Sequence, residues 1–432
     1  MLRGGTLRVL GAGDLHIGRR SSKVPGEHDG QQHSCAAAWG AVVELALAEQ
    51  VDLVALSGDL VDRQNRYFEA IGPLENGLRR LTEANIDIVA VTGNHDFDVL
   101  PQLVETLGSS HFHLLGRQGK WERLRIVRDG KPMLYVDGRS FPQESVTGDP
   151  LAGYAFPNDG TPVLGVLHGD LDQPLSRYSP IRLDDLRRMP VAFWLLGHIH
   201  APRLLADGVG PPVLYPGSPQ AMDPGESGVH GAWLIEFRPD GSVNQQQVPL
   251  STVRYETVSV NLNGIETEDA ARQTIVHAVR SALNAALAER GRLECLCCRL
   301  TLTGRTRLYR QLPALIQNEV APLDLMIGGV TGVIEQVANE TRPEIDLAAV
   351  SMRNDPPGEV ARVIQAFEQD DLSQDYRELV STTVDRLRAV HRSRPFGDVS
   401  VDEEPGQEQA RRYLLEEAWA LLDTLVAQRE GA

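Results

Sequence analysis

Five short apolar runs in the first half of the chain each end in residue types that bind metal ions. Residues 7–13 run into Asp14-Leu15-His16, and residues 51–57 into Gly58-Asp59, with Asp62 and Arg63 just beyond. Residues 86–92 precede Gly93-Asn94-His95-Asp96. Residues 162–167 precede His168-Gly169-Asp170, and residues 191–196 precede Gly197-His198-Ile199-His200. Taken singly, each cluster is ordinary: Gly-Asp after a strand is turn chemistry, and a lone His in an apolar strand is usually a core residue. Their co-occurrence decides otherwise. Five of the 12 His fall in these clusters, whereas His28, His33, His111, His113, His230, His277 and His391 show no such pattern. Two divalent cations about 3.5–4 Å apart can clamp the attacking and leaving oxygens of a phosphoryl group. Their mutual repulsion calls for a bridging carboxylate, with neutral imidazoles and an amide oxygen completing the shells. Such a site keeps excess positive charge, which an anionic phosphodiester neutralises. Mixed nitrogen and oxygen ligation suits Mn, Fe or Zn better than Mg or Ca.

Elements that could position these residues follow from the periodicity. The five runs read as buried strands. Residues 36–49 have helical spacing through Trp39, Val42, Val43, Leu45 and Leu47, and residues 68–84 read as a second helix. This alternation predicts an α/β layered architecture, in which loops at the carboxyl ends of several strands converge on one crevice. A composition change near Pro249 introduces a strand at 255–263, a long helix at 266–290 and a strand at 293–302. A helix at 307–320 and a Gly-rich strand at 323–337 complete a small α+β domain. After residue 343 the chain turns acidic and helical. Its three apolar stripes include Val360, Ile364 and Phe367, then Val380, Val384 and Leu387, then Leu414, Ala418 and Leu422. These helices either pack on each other or offer a docking surface to a partner helix. The expected division is 1–250, 251–342 and 343–432.

The chain has 432 residues, 42% of them hydrophobic and 23% charged, the ordinary range for a soluble globular protein. No run of eighteen apolar residues is present to span a membrane, and the first residues do not resemble a secretory signal. Four Cys are too few for a disulfide scaffold. Cys295, Cys297 and Cys298 read as small apolar side chains in a strand, and a reducing, cytoplasmic compartment is expected. A net charge of −17 opposes nucleic-acid binding unless local basic residues, bound cations or a partner supply positive field.

The ordered series Asp-x-His, Gly-Asp, Gly-Asn-His-Asp, His and Gly-His-x-His resembles the signature of the calcineurin-like metallophosphoesterases. The resemblance implies a layered β-sandwich flanked by helices, with one metal held by Asp14, His16 and His200. It implies a second metal held by Asn94, His168 and His198, with Asp59 bridging. His95 matches the non-ligating histidine that assists the scissile phosphate and leaving group, and Asp96 is expected to orient it. Leu183-Asp184-Asp185-Leu186, Tyr215-Pro216-Gly217-Ser218-Pro219-Gln220 with Gly225-Glu226, and Gly231-Ala232-Trp233-Leu234-Ile235 narrow the resemblance to the SbcD/Mre11 group of DNA repair nucleases. Asp62 stands where the Mre11 proteins carry His, which leans toward the bacterial branch. The group implies two divalent ions, Mn2+ first among them, hydrolysis of DNA by attack of a metal-held hydroxide, an SMC-like ATPase partner and self-association. Arg19, Arg20, Lys23, Arg63 and Arg66 lie in loops that could track a DNA backbone. A phosphodiesterase for small or cyclic nucleotides and a scaffold regulating the ATPase are the alternatives.

Overall fold

The computed structural model describes residues 5–26, 28–63, 70–128, 130–156, 159–289, 291–369, 373–391 and 406–430. Arg66, and residues 68 and 290 at the ends of two expected helices, lie outside them.

Two six-stranded sheets form the first half. One has the order Val243–Pro249, Gly231–Phe237, Leu7–Ala12, Leu53–Leu56, Asp87–Ala90, Phe112–Leu114, and its last four strands are parallel. The other has the order Glu122–Arg128, Lys131–Gly138, Val163–His168, Phe193–Gly197, Val213–Tyr215, Arg203–Leu205, with its middle four strands parallel. Alternate residues of each strand point to opposite faces, and both faces are buried. Val9, Leu53, Val89, Val136, Val166 and Leu195 meet between the sheets. Leu10, Val54 and Ile88 pack outward against helices Cys35–Glu49, Ile71–Glu83 and Leu100–Leu107. On the far side Val163, Trp194 and Leu196 lie under Phe156 and helix Leu183–Arg188, through Leu186. Two-sided burial is why the strands read as continuous apolar runs rather than alternating ones. The result is the expected α/β sandwich flanked by helices.

Local chemistry sets the helix ends. The Ser34 hydroxyl accepts from the Ala37 amide at 3.1 Å and starts Cys35–Glu49. Trp39, fully buried, donates its indole N–H to the Pro73 carbonyl at 3.1 Å and so fixes that helix against the next.

The chain divides into two compact units. The first comprises residues 1–259, 275–301 and 316–338, and the second 260–274, 302–315 and 339–432. A four-stranded sheet has the order Val253–Asn261, Cys295–Thr303, Val330–Asn339, Asp324–Ile327. Residues 323–337, expected as one strand, are two antiparallel strands. Gly328 and Gly329, both at positive φ, make the turn between them. The helix expected at 307–320 is three short turns, Arg307–Arg310, Leu312–Leu315 and Ile316–Val320. Cys295 and Cys297 pack with Val253, Tyr255, Val333 and Ala221, and burial pushes the Cys298 thiol up to about 12. These are core side chains.

In the second unit, helices Pro356–Glu368, Gln374–His391 and Gln407–Glu430 pack on each other. Phe367, Val380, Val384 and Ala410 form one buried cluster, and Ala361, Ile364 and Leu422 another. Leu379 and Leu421 remain exposed. Among the described residues no helix is long and apolar enough to cross a membrane.

Candidate metal centre

All seven residues expected as metal ligands come together at the carboxyl ends of the five strands. Their approach is close. A Cβ on Gly197 would stand 2.0 Å from the Ser57 carbonyl, and one on Gly93 would stand 2.2 Å from Asp59 Oδ1, so each position admits only hydrogen. The backbone is strained at the same place. Asp14, His16, Asp59 and His198 have φ of 50°, 43°, 51° and 100°. Positive φ is uncommon outside glycine, costs roughly 1–3 kcal/mol per residue, and clusters where function over-determines the geometry.

Donor atoms fall into overlapping groups, each within 4.8 Å: Asp14, His16 and His200; Asp59, His168 and His198; and His16, Asp59 and His95. Asp59, buried, lies between the first two. Its Oδ2 is 3.4 Å from His168 Nε2 and 3.9 Å from His16 Nε2, while its Oδ1 accepts from the His95 amide at 2.8 Å. Burial by itself would raise this carboxyl. His168, His16 and His95 outweigh it and hold Asp59 far below the carboxylate range. The Asn94 side-chain oxygen is 3.2 Å from both His168 Nε2 and His198 Nδ1, completing the second group.

Three of the four imidazoles, those of His168, His198 and His200, are turned by a partner on the other nitrogen, as metal-binding histidines are. His168 Nδ1 meets the Ser57 carbonyl at 2.9 Å. His200 Nδ1 meets Glu226 at 2.7 Å, and His198 Nε2 faces Asp170 at 3.4 Å. The atoms left over, Nε2 of His168 and His200 and Nδ1 of His198, point inward. His16 and His200 bring their Nε2 atoms to 3.0 Å of each other. Asp14 is fixed by the His198 amide, which donates to its oxygens at 2.9 and 3.1 Å. Two buried and two half-buried imidazoles, two carboxylates and an amide oxygen converging without a cationic side chain among them fit a pair of divalent ions, and mixed N/O donors suit Mn, Fe or Zn.

His95 stands at the rim, its side chain 30% exposed and perpendicular to His16 at 4.7 Å between centroids. Its Nδ1 lies 3.4 Å from the Arg63 amide and 3.7 Å from Asp62. Burial holds its pKa below the ordinary histidine value. Asp96, expected to orient His95, is placed otherwise. Its oxygens accept from the Leu60 amide at 2.6 Å and the Gly93 amide at 2.8 Å, stapling the Asp59 loop to the Asn94 loop. Burial and the Asp59 charge push it up to about 7. The carboxylate beside His95 is Asp62, which also faces His16 Nδ1 at 3.5 Å.

Three supporting residues carried no role in the sequence reading: Glu226, Asp170 and Tyr178, whose ring lies 4.8 Å from that of His198. Asp170 stood in a strand-end cluster and Glu226 in the Gly225-Glu226 motif, so the signal was present. Their pairing with particular histidines needed the fold. The flanking arginines are less available than expected. Arg19 lies 3.8 Å from Asp223, Arg20 lies 3.3 Å from Asp29, and Arg63 is paired with Glu144. Lys23 is exposed.

Comparison with known proteins assigns two stretches of the chain. Residues 7–202 match the calcineurin-like phosphoesterase profile, and residues 255–342 match the middle domain of metallophosphoesterase YhaO. The chain is 27% identical over 223 residues to the uncharacterized metallophosphoesterase YhaO of Bacillus subtilis, covering 51% of this chain and 54% of that protein. It is 30% identical over 277 residues to the DNA double-strand break repair protein Mre11 of Haloferax volcanii, covering 62% and 58% respectively. It is 23% identical over 286 residues to the Mre11 of Methanopyrus kandleri, covering 62% of each. The chain thus spans between 54% and 62% of the length of these relatives. Residues 7–202 are a calcineurin-like phosphoesterase domain, the fold of a superfamily of metal-dependent hydrolases, and the chain that carries it is related to the Mre11 proteins at modest identity.

Proposed function

We propose that the chain is a two-metal phosphodiesterase working as a DNA nuclease subunit. The observation that carries this is Asp59, set between two imidazole-rich donor groups as a bridging carboxylate must be. In this reading Asp14, His16 and His200 hold one ion, and Asn94, His168 and His198 the other. Mn2+ is the leading choice. When bound, the pair supplies Lewis-acid charge at the phosphoryl oxygens. The protein's own part is to fix the donors, exclude alternative geometries and hold a proton on His95 within reach of the leaving oxygen. The names of the Mre11 relatives point to DNA as substrate. An SMC-like ATPase docking on the C-terminal helices, self-association and a cytoplasmic setting belong with that reading. The four unpaired, buried thiols suit a reducing compartment. The division near residues 250 and 342 into catalytic, capping and helical parts belongs here too, supported by family matches that end at 202 and run from 255 to 342.

The engaged arginines and the charge of −17 favour a second reading, a phosphodiesterase for small or cyclic nucleotides. A manganese-dependent assay on single- and double-stranded DNA ends separates the two. A nuclease contacting 6–10 phosphates loses roughly 10³–10⁵ in DNA affinity between 50 and 200 mM salt. Fast cleavage of a mononucleotide diester with no DNA affinity would establish the second reading instead. Removing the residues after Pro343 is expected to abolish co-purification with an SMC-like ATPase and to leave manganese-dependent hydrolysis of a model diester. Retained ATPase binding would remove the docking assignment.

A further inference from the structure

The two donor groups are supported unequally. His168 rests on a neutral backbone carbonyl, that of Ser57 at 2.9 Å. His200 rests on a carboxylate, Glu226 at 2.7 Å, whose side chain is only 12% exposed. The other Glu226 oxygen accepts from the Met222 amide at 2.7 Å and the Ser218 hydroxyl at 3.2 Å. The same loop grips the His200 backbone, because the Ser218 amide donates to the His200 carbonyl at 3.0 Å. Gly217, at φ 73°, lets the chain pass, since a Cβ there would lie 2.5 Å from that carbonyl. Behind Ser218, the buried His230 Nδ1 meets the Ser218 carbonyl at 2.8 Å and its hydroxyl at 3.2 Å. His200 is therefore clamped at its main chain and its ring by one loop, and the ring clamp carries a full negative charge.

We propose that Glu226 is a positioning residue for His200 and makes the site of Asp14, His16 and His200 the tighter of two divalent-cation sites. The physical cause is twofold. A carboxylate on the far nitrogen raises the donor strength of the near one, and the buried hydrogen bonds remove the rotational freedom that ligation otherwise costs. The other site draws on a neutral amide, on His168 backed by a carbonyl, and on His198, whose carboxylate partner Asp170 stands off at 3.4 Å against the 2.7 Å of Glu226 on His200, so its reinforcement is weaker. The inference rests on the two-metal reading above.

Mn2+ titration of the full-length protein by calorimetry, with electron paramagnetic resonance of the bound ion, tests it. His200→Ala and His168→Ala each delete one imidazole and so show which binding step belongs to which site. Glu226→Ala is expected to weaken the His200 step roughly 10–100-fold and to leave the His168 step within about twofold. Glu226→Gln keeps an acceptor for the ring without the charge and is expected to fall between Glu226→Ala and the parent, a graded rescue that loss of packing would not give. Equal weakening of both steps, or none, overturns the assignment. A parent protein that binds no Mn2+ would instead overturn the two-metal reading. If Glu226→Ala does not fold by circular dichroism, the Glu226→Gln titration decides by the same criterion.

Discussion

Replacing Asp59 by Asn is expected to remove hydrolysis and metal occupancy together. The side chain is buried and its oxygens face His168 and His16 from between the two donor groups. A unit charge interacts with another at about 4 Å by roughly 4 kcal/mol at an effective dielectric of 20. A bridging carboxylate meets two divalent ions at once, so its loss is worth at least a thousandfold in affinity at about 1.4 kcal/mol per decade. Asn has the same shape, and its amide oxygen can still accept from the His95 amide, so the loop is expected to fold. Metal content by elemental analysis and turnover of bis-p-nitrophenyl phosphate check this. Two retained ions with normal turnover would show that Asp59 does not bridge.

What was legible in the sequence follows from which forces act locally. The five strands before the ligand clusters were readable because they are buried on both faces, as Val9 and Leu10 are in the first, and so stay apolar throughout. The hairpin of Glu122–Arg128 and Lys131–Gly138 was not seen, because its first strand is an edge with exposed and half-buried residues. The C-terminal helices were legible as stripes, but only the fold shows Phe367, Val384 and Ala410 packed together. At the site, the ligand types were plain, since several histidines at strand ends have few other uses. Partnership was not. Asp96 follows His95 in sequence, yet its carboxylate turns back onto the Leu60 and Gly93 amides, while Asp62 comes from another strand end to stand near His95. Adjacency along the chain says little about direction in a tight turn, where successive side chains diverge. Glu226 lies 26 residues from His200 and meets it only because the loop folds back.

His95→Ala is expected to keep both ions and lose turnover by about 10²–10⁴, the usual worth of a positioned acid or base. The geometry makes this a sharp test, because His95 also falls within ligand distance of His16 and Asp59. If it were a ligand, its removal would empty a site and the metal content would fall with activity. Its position argues against that role. The ring is at the rim, 30% exposed, edge-on to His16, and its Nδ1 is turned to the Arg63 amide. Burial favours the neutral ring, whose single proton then sits on Nε2 as a hydrogen-bond donor. To act as a general acid the ring takes a second proton, which the Asp59 and Asp62 charges favour. A general acid matters most when the leaving group is a poor one. The loss should therefore be large for a DNA or alkyl phosphodiester and small for a p-nitrophenyl ester, whose phenolate leaves without help. An equal loss on both substrates with full metal content would assign His95 to binding the phosphate rather than to moving a proton.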